Sequence, residues 1–81
     1  MTTQSENQFV VVAMYHFVRL DDFEEMKPPL QALCVVNGLM GTILLAREGL
    51  NGTLAGPRDG IDALLSHLRA DARFKTLRYK E

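Results

Sequence analysis

Ten consecutive residues, Phe9-Val-Val-Val-Ala-Met-Tyr-His-Phe-Val18, constrain this chain more than any other feature. They are rich in β-branched and aromatic side chains, which suit a pleated strand and crowd a helix. The run is continuous rather than alternating, so it predicts a strand with apolar surroundings on both faces. Val10, Val12 and Met14 fall on one face; Phe9, Val11, Ala13 and Tyr15 fall on the other. The rest of the fold must be built around that strand. With 81 residues there is chain for one domain and one core, and too little for a deep enclosed cavity.

Before the strand, residues 1–8 read as a flexible polar leader, so the domain is expected over 9–81. After it, Arg19-Leu-Asp-Asp22 breaks the run, and Asp21/Glu24 and Asp22/Glu25 have the Asp-x-x-Glu spacing of a helix start. Pro28 and Pro29 conflict with a helix that continues through them, because each lacks an N–H and clashes with the preceding turn. The spacing therefore predicts a short turn over 22–26 and a helix starting near Pro28 or Pro29. Leu30, Leu33, Cys34 and Asn37 share its face, with Cys34 a small buried hydrophobe, and Gly38 stops it.

Gly41–Ala46 and Leu50–Ala55 read as strands, joined by a three-residue Arg47-Glu48-Gly49 loop with Gly49 left-handed. Asn51-Gly52 is a competing turn signal, but a turn there leaves only a three-residue return strand. In a strand, Gly52 marks a bulge or a close backbone approach. Pro57 opens a second helix as its first residue, and Ile61, Leu64, Leu65 and Leu68 follow at i, i+3, i+4 and i+7. Lys75–Glu81 alternates as an edge strand with Leu77 and Tyr79 inward. The order βαββαβ, with two right-handed crossovers, predicts an α+β ferredoxin-like (acylphosphatase-like) sandwich. Its four-stranded antiparallel sheet carries both helices on one face, with strands one and three central.

Nine Lys and Arg against ten Asp and Glu leave a net charge of −1, so no whole-protein field draws the chain to nucleic acid or membrane. No apolar run approaches the ~18–20 residues of a membrane span. The single cysteine excludes an intramolecular disulfide and suits a reducing, cytoplasmic setting. His16 and His67 have no carboxylate or cysteine at ligand spacing. The residues indicate no cofactor, metal cluster or nucleophile–base pair, and so no catalytic residue.

Two site readings remain. The loop Tyr15-His-Phe-Val-Arg19 brings an arginine to a helix start, where an anion could sit. An acylphosphatase uses this position, but with a glycine-rich loop and an asparagine on the second strand, and both are missing here. The simpler use of Arg19 is an ion pair with Asp21 or Asp22. The second reading is RNA on the open sheet face. Phe9, Tyr15 and Phe17 offer stacking surfaces on strand one, but strand three has no aromatic and nothing resembles the basic RNP1 string. Residues 58–81 do hold six basic side chains, Arg58, Arg69, Arg73, Lys75, Arg78 and Lys80, which suit either a phosphate-tracking surface or a solvated face.

The string Gly41-Thr-Ile-Leu-Leu-Ala-Arg-Glu-Gly-Leu-Asn-Gly-Thr-Leu-Ala-Gly-Pro57 resembles the amino-terminal domain of the rhodanese-related tRNA uridine hydroxylases. So do Tyr15-His-Phe-Val-Arg-Leu-Asp-Asp-Phe23, Gly60-Ile-Asp-Ala-Leu-Leu65 and Leu68-Arg-Ala-Asp-Ala-Arg-Phe74, in register from about Val10 to Lys80. The resemblance implies oxygen-dependent 5-hydroxylation of the wobble uridine of tRNA. It also implies a following rhodanese domain that carries the catalytic cysteine; Cys34 does not take that cysteine's place, and these residues alone are expected to be inactive. Partners are then tRNA and the rhodanese domain. Candidate RNA- or anion-binding residues are Arg19, Arg47, Asn51, Arg78 and Lys80, with Asn51 equally suited to bonding the turn backbone.

The apolar second face of strand one, continued by Leu44 and Ala46 on strand two, supports a missing neighbour independently, because two helices cover only one face of such a sheet. A rhodanese domain, a second copy forming a homodimer through the sheet, or the leader could cover it. The different-class alternative is a non-catalytic interaction module.

Overall fold

The apolar run forms strand β1 (Phe9–Phe17) at the centre of a four-stranded sheet in the computed structural model, which describes residues 9–81. The leader expected over 1–8 lies outside those residues. Helix α1 (Phe23–Val36), strands β2 (Met40–Ala46) and β3 (Gly49–Pro57), helix α2 (Arg58–Arg69), a 3-10 turn (Ala72–Phe74) and strand β4 (Arg78–Lys80) follow. All pairings are antiparallel and the spatial order is β2-β3-β1-β4. This is the ferredoxin-like βαββαβ sandwich, with β1 and β3 central.

Alternation along the strands sorts residues between two faces. Val10, Val12 and Met14 of β1, Leu50 and Leu54 of β3 and Leu45 of β2 are buried under the helices. From α2 the full stripe Ile61, Leu64, Leu65 and Leu68 packs onto them; Leu20, Phe74 and Leu77 close the hairpin end, and Leu39 packs at the other, beside Gly56 and Gly60. Each such side chain stabilises the fold by about 1.5–3 kcal/mol on burial. The polar/apolar contrast around α2 is what fixes that face; α1 has a weaker one, and only Leu30 of it is fully buried.

Several local expectations are corrected. Helix α1 does not wait for the prolines: it starts at Phe23 and holds Pro28 and Pro29 in its interior. The turn at Asp22 simply continues, with Glu25 and Met26 N–H groups both donating to the Asp22 carbonyl. The two carbonyls that lose their donors, on Glu24 and Glu25, belong to exposed residues, where water replaces the missing bonds. No side chain caps this start, so the Asp-x-x-Glu spacing marks its position without making the expected bond. At the other end Gly38 and Leu39 N–H donate to Val35 and Cys34 carbonyls, the paired bonds of a Schellman stop.

The hairpin loop holds two residues, Arg47-Glu48, not three: Gly49 already pairs with Ala46 and with Phe17. Its φ of +145° is closed to L side chains, and a Cβ there would strike the His16 carbonyl oxygen of β1. Gly52 is a close approach and not a bulge, since the register of β3 runs unbroken past it. A Cβ at Gly52 would stand 2.9 Å from Ile43 Cα. Pro57 is the last residue of β3 and the N-cap of α2, whose first residue is Arg58; its ψ of 150° is extended. Finally, β4 is shorter than the expected 75–81, because the turn that starts at Ala72–Phe74 continues through residues 75–77, with Lys75 and Leu77 N–H groups donating to the Ala72 and Phe74 carbonyls. No helix of the described residues is long and apolar enough to cross a membrane.

Candidate nucleic-acid interface

The face of the sheet away from the helices is built by the register. One row across it runs Leu44, Asn51, Tyr15, Arg78, and the next runs Thr42, Thr53, Ala13, Lys80. Three residues expected at a site from sequence, Asn51, Arg78 and Lys80, therefore stand on one surface around Tyr15. Tyr15 is 56% exposed and Phe17, next but one on β1, is 83% exposed; their rings meet edge to face at 6.1 Å. Tyr15, Phe17, Thr76 and Arg78 border a shallow cleft of ≈ 320 Å³ at the β1–β4 edge.

Electrostatics separate the cations of this region. Arg58 makes a bidentate pair with Glu81 at 2.7 and 3.0 Å, tying the start of α2 to the end of the chain. Arg69 donates to the Leu77 carbonyl at 3.1 Å and lies over the Tyr79 ring at 5.3 Å. Tyr79 does face the helix side as expected, but at the rim, half open to solvent. Arg73 bridges Asp71 and Asp22, each at 2.7 Å. Its guanidinium, with its own N–H, holds the Asp71 carboxyl down to about 2, and it lowers Asp22 as well; the two carboxylates in turn push Arg73 upward. Arg78 and Lys80 have no ion pair among the described residues, and so remain available to a phosphate.

Arg19 and Arg47 form a second group beyond the hairpin end of the sheet. Arg19 Nε donates to Asp21 Oδ1 at 3.0 Å, the ion pair expected for it, and Arg47 Nε lies 3.8 Å from the same oxygen. Backbone bonds hold the two segments together: Val18 N–H to the Glu48 carbonyl and Leu20 N–H to the Arg47 carbonyl. Both guanidinium groups are exposed, and one shared carboxylate leaves the pair with a positive balance. Asn51, by contrast, makes no side-chain hydrogen bond among the described residues; the alternative use, bonding the turn backbone, is not what it does.

His16 lies on the helix side, where its Nε2–H donates to the Arg73 carbonyl at 2.7 Å and its ring packs on Phe74 at 5.4 Å. His67 is exposed on α2. Cys34 is half-buried, less than expected, and burial pushes its thiol up, away from nucleophilic use. Among the described residues no three His, Cys, Asp or Glu side chains gather as metal ligands. The Asp22–Arg73–Asp71 bridge was missed by sequence reasoning. Its only signal is Asp71-Ala-Arg73 beside a broken helix, and the Asp22 partner lies 51 positions away.

The fold and its open face thus define an acylphosphatase-like α+β domain without that enzyme's glycine-rich loop or strand-two asparagine. The chain belongs to the UPF0176 acylphosphatase like domain family, which it matches over residues 9–81. Among its curated relatives, the tRNA uridine(34) hydroxylase of Sinorhizobium fredii (strain NBRC 101917 / NGR234) is 49% identical over 78 residues. That of Sinorhizobium medicae (strain WSM419) is 47% identical over 78 residues. Each alignment takes in 96% of this chain and 25% of the relative, so the chain spans about a quarter of the length of the curated relatives it matches. The resemblance drawn from the hairpin string is borne out.

Proposed function

We propose that this domain serves tRNA wobble-uridine hydroxylation by holding the anticodon region on the open face of its sheet, in the cytoplasm. A rhodanese domain of the same enzyme supplies the chemistry. The observation that carries the reading is Tyr15 set between Asn51 and Arg78 with Lys80 in the next row. An exposed phenol ring beside two unpaired cations and a free amide offers a base a stacking surface, its phosphates a counter-charge and its edge a hydrogen bond. Anticodon loops are single-stranded, so their bases can be splayed onto such a platform, at about 1–3 kcal/mol per stacked base. The names of the relatives point to the same nucleic acid. The other end of the face, Phe9, Val11, Met40, Ala55 and Pro57, carries no ionisable side chain, and favours protein packing there rather than RNA.

The test is filter binding of tRNA by the chain at several salt concentrations. Arg78→Glu and Lys80→Glu, both exposed, are each expected to weaken binding about tenfold and to lower the salt slope by roughly one. Unchanged affinity in both would overturn the RNA reading. Concentration-dependent dimerisation without RNA binding would replace it with self-association through the sheet.

A further inference from the structure

The two edges of the sheet are treated very differently. Strand β4 is three residues long, and two of them are the cations Arg78 and Lys80, the usual protection of an exposed edge. Strand β2, at the opposite edge, is seven residues long, Met40-Gly-Thr-Ile-Leu-Leu-Ala46, with no charge and no proline. It pairs only with β3, and among the described residues no other hydrogen bond reaches its backbone. Residues of an antiparallel strand bond alternately to either side. The carbonyl of Glu48 is taken from the β1 side, so even-numbered residues of β3 face β1 and odd-numbered ones face β2. Thr42 and Leu44 are therefore bonded to Thr53 and Asn51, and the N–H and C=O groups of Gly41, Ile43 and Leu45 point outward, unpaired.

Beside this bare edge lies a groove of ≈ 320 Å³ between β2 and α1. Its floor is Leu30, Leu39, Ile43 and Leu45, and Cys34 stands in its wall. At its hairpin end two cations flank Phe23: Lys27 Nζ is 5.4 Å and Arg47 Cζ 5.9 Å from the ring centre. We propose that this edge and groove bind an extended protein segment as a fifth, antiparallel strand, apolar at alternate residues and acidic where it begins, beside Lys27 and Arg47. The outward backbone groups supply the hydrogen bonds, the groove takes side chains from one face of the added strand, and the cations set its direction. A polar or cationic segment would leave the floor wet or meet like charge. This surface is separate from the open face and does not rest on the tRNA reading.

The experiment uses the peptide acetyl-Glu-Val-Thr-Val-Thr-Val-amide with isotope-labelled chain and residue-resolved hydrogen exchange. At ~1 mM peptide the amides of Gly41, Ile43 and Leu45 are expected to exchange at least about tenfold more slowly, while those of Thr42 and Leu44 stay as they were. Alkylation of Cys34 is expected to slow in parallel. Lys27→Glu, at an exposed position, should weaken the effect about fivefold. Unchanged exchange at the three outward amides would overturn the proposal. Protection that rises with protein concentration and needs no peptide would also overturn it, in favour of a second copy at this edge. Equal binding by Lys27→Glu would overturn the acidic end of the segment.

Discussion

The two faces of β1 are made from equally apolar residues and end in opposite circumstances. Val10, Val12 and Met14 are at most 5% exposed, whereas Phe9, Val11, Tyr15 and Phe17 are all more than half exposed. On the covered side the fully buried side chains are hydrophobic, and among the described residues no ionisable side chain is fully buried. On the open side the same hydrophobicity is interleaved with Asn51, Arg78, Lys80 and two threonines. One side is packed under the helices, the other is left open to solvent. Hydrophobic content alone does not separate them; what lies across the sheet does.

The contrast can be broken from either side. The largest effect belongs to the covered face: Leu64→Ala is expected to cost about 3 kcal/mol in urea unfolding, and Phe17→Ala less than about 0.5 kcal/mol. Comparable costs would show that the open aromatics hold the fold. Next is the sheet plane between them, where Gly52→Ala forces a methyl toward Ile43 Cα and should cost about 1–3 kcal/mol by the same measurement. On the open face Tyr15→Ala should weaken tRNA binding about tenfold while leaving the salt slope unchanged, since it removes stacking and no charge.

The smallest effect tests the bridge that closes the covered side. Asp71 is held down to about 2 by Arg73, against an ordinary 3.8, so it stabilises the folded state at pH above about 4. That contribution fades as pH falls through about 2. The site is partly open to solvent, which limits it to less than about 1 kcal/mol. Asp71→Asn should remove this part of the acid dependence, seen as a flatter stability profile between about pH 4 and pH 2.

Much of this was legible in residue order. The 2-residue period of β1 named both faces, the i, i+3, i+4, i+7 stripe of α2 named its buried side chains, and Gly38 marked the end of α1. The prolines misled, because a helix tolerates lost N–H donors where the orphaned carbonyls face water. Pro57 misled in the other direction: its fixed φ serves an extended strand end as well as a first helical turn. Of the candidate site, Asn51, Arg78 and Lys80 were named from sequence, but nothing local set Arg78 and Lys80 apart from the rest of the basic stretch. That Arg58, Arg69 and Arg73 have partners and these two do not depends on contacts as distant in sequence as Asp22 and Arg73. The alignment of Arg78 with Tyr15 and Asn51 depends on register across three strands, which no local pattern encodes.

The central proposal, one face for folding and the other for tRNA, is tested most directly by amide chemical-shift mapping of the chain with an anticodon stem-loop. Shifts confined to Tyr15, Phe17, Asn51, Arg78 and Lys80, and abolished by high salt, are the predicted result. Shifts gathered instead on the solvent side of α1 and α2, with these five unmoved, would contradict it.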